Sequence, residues 1–103
     1  MFKLTIFFER FERESVFIDY YRRVHMPLAR ELPGLVKSEV TLFSKGSNGD
    51  EPRFCLMTEL YFETEDAWRL AMESEQGLAL VADGENFPEG TRFGGVVVGS
   101  VIV

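Results

Sequence analysis

The stretch Tyr20-Tyr21-Arg22-Arg23-Val24-His25-Met26-Pro27-Leu28-Ala29-Arg30-Glu31-Leu32-Pro33-Gly34-Leu35 decides how the chain is read. It holds the only histidine, His25, two residues before Pro27. Around it Phe17, Tyr21, Val24, Leu28 and Leu32 recur every three or four residues, which predicts a helix with one apolar stripe. A proline inside a helix lacks an N–H and crowds the preceding turn, at a cost of about 3 kcal/mol. Pro27 should therefore free the carbonyl of Arg23 and push Met26 away from helical angles. Ser15 is the expected N-cap, and Pro33-Gly34 should stop the helix near Leu32. The one side chain that ordinarily titrates near neutrality thus sits beside an expected kink.

Working outward, residues 2–8 alternate. Phe2, Leu4, Ile6 and Phe8 share one face, with Lys3, Thr5 and Phe7 on the other, which predicts a strand. Residues 36–43 alternate again, and the polar turn Gly46–Pro52 should join them to a third strand over 53–62. In that strand Phe54, Leu56, Leu60 and Phe62 are expected on one face. Thr64 should cap a second helix with Trp68, Ala71 and Met72 on its apolar side. Ser74 should restart a short helix carrying Leu78, Val81 and Ala82, closed by Gly84. Residues 85–95 read as a Gly/Pro loop, and 96–103 as a β-branched last strand. The order β-α-β-β-α-β is the α+β, ferredoxin-like arrangement, a four-stranded antiparallel sheet with its helices on one face. Its other face mixes Phe7, Phe43, Met57, Tyr61, Val97, Val101 and Val103 with Lys3, Lys37, Glu39 and Glu59. A solvated face would carry fewer large apolar groups, so a homodimer through the sheet faces is expected.

At 103 residues the chain suits one domain over 1–103, and ten phenylalanines within 46% hydrophobic content argue against disorder. Seventeen acidic residues against eleven basic give a net charge of −6, which disfavours nucleic acid and anionic membranes as partners. Cys55 is the only cysteine, excluding an internal disulfide, and a buried inert thiol is expected. There is no signal-peptide pattern and no membrane-length apolar run, so the expectation is a soluble cytoplasmic protein.

His25, at the edge of the stripe, suits three roles: general acid/base, metal or haem ligand, or a half-buried group bound to a nearby carbonyl. Tyr20 and Tyr21 can donate to a substrate oxygen or pack with their hydroxyls at a rim. Trp68 and Phe87 are expected to pack the core or wall a pocket. Arg22, Arg23 and Arg30 could bind an anion, but a solvated helix face is the expected reading. Glu39 and Glu59 read as partners for Lys3 or Lys37. No phosphate loop, dinucleotide fingerprint, metal-ligand spacing or nucleophile elbow is present, so no cofactor or metal is implied.

The pattern Phe17-x-x-Tyr20-Tyr21-x-x-x-His25-x-Pro27-Leu28-Ala29, followed by Leu32-Pro33-Gly34-Leu35, resembles the EthD domain family within the dimeric α+β barrels. These residues span about a fifth of the chain, and the element order and the Asp83–Phe87 segment extend the likeness over most of it. The resemblance implies a pocket between sheet and helices with His25 beside it. On that basis His25 and Tyr21 are the expected catalytic residues, with Tyr21 orienting substrate by a hydrogen bond. Tyr20, Phe17, Leu28, Trp68 and Phe87 are the expected contacts to a small apolar carbonyl or aromatic ligand. The functions implied are a cofactor-independent isomerase- or cyclase-type or oxidoreductase-associated enzyme, a non-catalytic accessory to a monooxygenase, or a haem or metal protein using His25.

Overall fold

The alternation of β1 (Phe2–Glu9) puts Phe2, Leu4 and Phe8 into the core, and the strand lies inside the sheet with a neighbour on each side. The computed structural model describes residues 1–103. After β1 come α1 (Glu14–Tyr20), a π-helical turn (Tyr21–His25) and α2 (Met26–Ala29). β2 (Leu35–Leu42) and β3 (Phe54–Phe62) form a hairpin. α3 (Glu65–Glu73), α4 (Glu75–Asp83) and a 3-10 turn (Gly84–Asn86) lead to β4 (Arg92–Ser100). The strand order is β2-β3-β1-β4 with every pair antiparallel, a ferredoxin-like fold.

Local chemistry fixes the ends of the later helices. Thr64 accepts from the Ala67 N–H, and Ser74 accepts from the Gly77 N–H, so each hydroxyl satisfies a donor that the first turn leaves free. Gly34 has φ +78°, the left-handed turn expected after the first helix. That helix departs from expectation at both ends. Arg13 occupies its N-cap with no side-chain hydrogen bond, and Ser15 does not cap it. It ends at Ala29, although Leu32 still reaches the core from the turn beyond.

Pro27 does not disturb Met26, which keeps helical angles of φ −66° and ψ −36°. The departure comes one turn earlier, where the Met26 N–H donates to the Tyr21 carbonyl, five residues back. A π-turn holds one residue more than an α-turn, so it shifts every later side chain around the axis. The buried stripe therefore runs Phe17, Tyr21, His25, Met26, Ala29 and Leu32, while Val24 and Leu28 are only half-buried.

Two bulges correct the strand reading. The β1–β3 register slips between Phe8 and Glu9, leaving Cys55 unpaired and buried on the helix side. Phe54 is thereby turned to the open face, where its ring lies 4.9 Å from that of Phe7. The β1–β4 register slips between Phe7 and Phe8 at Gly94, and Gly95 takes φ +131°. Pairing thus continues through glycines that read as loop, so β4 begins at Arg92 and Val101–Val103 fall outside it. The stripe of α4 is also displaced: Gly77, Leu80 and Asp83 are buried, whereas Leu78 and Val81 are exposed. No helix is long and apolar enough to cross a membrane.

Candidate functional site

Between the sheet and the helices lies a cavity of about 640 Å³. Leu4, Ile6 and Leu60 form its floor, Tyr21, His25, Leu80 and Phe87 its walls, and Thr91, Phe93 and Val96 its rim. The π-turn brings His25 to it by rotating that position inward. Phe87 stands edge-on to the imidazole, 4.8 Å between centroids, and Tyr21 flanks it at 4.9 Å.

The imidazole is held from behind. Its Nδ1 lies 2.8 Å from Oδ2 of Asp83, the last residue of α4. The other carboxylate oxygen, Oδ1, accepts from the Tyr20 hydroxyl at 2.6 Å and from Asn86 Nδ2 at 3.0 Å. Burial opposes ionisation of Asp83, but the hydrogen bonds from Tyr20, Asn86 and His25 outweigh it and hold the carboxyl below its ordinary range. Burial pushes the His25 pKa down, with Asp83 opposing only in part. A neutral imidazole beside a carboxylate must donate from Nδ1, which leaves the Nε2 lone pair without a protein partner. The same carboxylate raises the Tyr20 pKa, since it accepts from the neutral phenol and repels the anion.

Of the residues singled out in the sequence, His25, Tyr21 and Phe87 meet at the cavity. Tyr20 lies outside the lining and acts on Asp83. The Tyr21 hydroxyl is turned away from the cavity: it pairs with the Thr58 hydroxyl in the core, at 2.5 Å, and burial pushes its pKa up to about 12. Phe17 is fully buried behind the wall among Phe8, Phe11 and Phe87. Leu28 is carried away from the cavity by the π-turn, and Trp68 packs on Phe2 near the start of α3. Cys55 is buried, and burial pushes its thiol pKa up to about 11, a poor nucleophile. Asp83 is the residue that sequence reading passed over. Its signal was a carboxylate three residues after Leu80, on a stripe that begins at Gly77. His25 has one carboxylate beside it, and no group of three or more metal-ligating side chains is present.

These shifts give a pH signature. A group whose pKa falls on folding binds protons more readily in the unfolded chain, so its stabilisation is complete above the unfolded value and lost as pH falls. For His25 the loss should begin near its ordinary value of 6.5. For Asp83 it should begin near 3.8. Urea midpoints should be level above neutrality and fall on acidification, and His25→Gln should remove the upper step. A midpoint that rises between neutrality and mildly acid pH would contradict this assignment.

The sequence and fold have relatives. An uncharacterised 11.0 kDa protein of Rhodococcus erythropolis, from the thcB–thcC intergenic region, is 27% identical over 94 residues, covering 87% of this chain and 86% of that protein. The crystal structure of an EthD-family protein from Bacillus halodurans C-125 is 28% identical and superposes with a TM-score of 0.88 over 99% of both chains. SnoaB, a cofactor-independent oxygenase of Streptomyces nogalater, shares the fold at 11% identity, with a TM-score of 0.69 over 99% of this chain and 93% of its own. The EthD domain model matches residues 12–91, which include the π-turn, His25, Asp83 and Phe87, and the chain belongs to the EthD domain family.

Proposed function

We propose that this is a protein of small-molecule metabolism that takes up a small apolar carbonyl or aromatic compound beside Phe87 and moves a proton with His25, without a cofactor. The observation that carries this reading is a buried histidine, held 2.8 Å from a buried carboxylate, at the wall of a largely apolar cavity. Nε2 accepts a proton from a carbon next to a carbonyl or from a phenol. The electron pair left behind spreads into the carbonyl or ring, and Asp83 stabilises the imidazolium that forms. Return of the proton at another atom completes an isomerisation or ring closure with no net oxidation. Tyr21 contributes its ring as a wall, and Tyr20 and Asn86 fix the carboxylate. SnoaB supports the reading as an example of this fold working without a cofactor.

The test is proton exchange. Small ketones and phenols are screened for a rise in melting temperature, and those that bind are incubated with the protein in D2O. Binders with an acidic C–H should gain deuterium well above the buffer rate, with a rate that falls on acidification as His25 protonates. Tight binding without exchange would leave a carrier and defeat the acid/base assignment.

The reading includes a homodimer through the open sheet face. Phe7, Phe54, Met57 and Val97 supply apolar surface there. Among the charges there, Lys3 Nζ lies 2.6 Å from Glu59 and Lys37 sits over the Tyr61 ring at 4.5 Å, while Glu39, opposite Glu59, has no cationic partner. The apolar part of such a face favours burial, against the cost of desolvating Glu39. Val97 is 60% exposed, so Val97→Asp should leave the subunit folded while dissociating the dimer. Light scattering should give twice the chain mass for the wild type and the single mass for the variant. A wild-type monomer at high concentration would exclude this interface.

A further inference from the structure

On the other side of the first helical region, between it and the edge strand β2, lies a second cleft of about 580 Å³ that shares no residue with the histidine cavity. Arg22, Arg23 and Arg30 line it in a chain whose net charge is −6. Asp19 holds Arg23 at 2.8 Å, but Arg22 and Arg30 have no carboxylate partner. Elsewhere Arg10, Arg53 and Arg69 are ion-paired, while Arg13 and Arg92, outside this cleft, are not. Ser38 adds a hydroxyl, and Val40 and Leu42 of β2 add apolar surface. Arginines at the edge of a concave, partly apolar surface concentrate positive potential where a ligand's anionic group would sit, and a guanidinium matches a carboxylate in two hydrogen bonds.

We infer that this cleft binds an amphiphilic carboxylate, its charged end held by Arg22 and Arg30 and its apolar body laid on Val40 and Leu42. Its volume is in the range of small-molecule sites. The test is a titration of the full chain with octanoate, followed by amide chemical shifts. Saturable shifts should appear at Ser38 and Val40 and weaken with added salt. The paired substitution Arg22→Gln/Arg30→Gln, at exposed positions, should fold normally and weaken binding about tenfold to a hundredfold, the loss of a charged hydrogen bond or two. Neutral 1-octanol should bind much more weakly at these residues. Shifts confined to Leu80 and Phe87 would overturn the proposal. So would unchanged affinity in the double variant, equal binding of 1-octanol, equal shifts from inorganic phosphate alone, or no shifts at all.

Discussion

Asp83→Asn is expected to fold like the wild type and to lose most of the proton-exchange rate, up to the whole loss that removing the base itself would bring. The reason is the direction in which the new amide must point. Tyr20 and Asn86 both donate to Oδ1, so that position must remain an oxygen. The amide nitrogen then takes the place of Oδ2 and donates to Nδ1 of His25. Nδ1 must become the acceptor, which moves the proton to Nε2 and removes the lone pair the reaction uses. His25→Gln, which removes the base outright, should lose about a hundredfold to ten-thousandfold. Ring nitrogen NMR shifts read the tautomer directly. An Asp83→Asn protein that keeps its activity, or keeps the proton on Nδ1, would remove Asp83 from the mechanism.

Gly77→Ala is expected to destabilise the fold severely. Gly77 lies in the first turn of α4, where α3 and α4 cross, and an added Cβ would run into the Ala71 carbonyl and lie 2.6 Å from that of Met72. Alanine gains about 1 kcal/mol of helix propensity over glycine. Overpacking in a well-packed region costs about 1–3 kcal/mol, and here the obstacle is backbone, which cannot swing aside. The clash wins. A net loss of about 2 kcal/mol in a domain of this size lowers the melting temperature by roughly 8–16 °C. Because the shift moves α4, it should also pull Asp83 from His25 and restore the ordinary histidine titration. A melting temperature within a few degrees of the wild type would mean that the two helices separate easily.

Much of this was legible because it is local chemistry. Alternation wrote β1, and the hydroxyls of Thr64 and Ser74 wrote the starts of α3 and α4. The left-handed turn at Gly34 could be read from one glycine after a proline. What escaped depends on contacts between segments. Leu78, Leu80 and Val81 offer α4 two possible apolar stripes, and only the close approach at Gly77 selects the one that includes Asp83. The bulge at Cys55 reverses Phe54 by a one-residue slip against β1, which no pattern within β3 reveals. The histidine could be singled out from its spacing, but its buried partner is 58 residues away in sequence.

The π-turn also sets apart two quantities that protein engineers usually raise together. An α-helix without the extra residue would bond more regularly and hold its turns more tightly. Winding the same residues as a regular α-helix would repair the ladder, yet it would rotate the later side chains by one residue's share of a turn, about 100°. Ranking variants by thermal endurance would therefore favour substitutions that regularise this turn and move His25 from the cavity. Substitutions in this segment belong in a functional screen, and the irregular turn is worth keeping when the scaffold is rebuilt around chosen ligands.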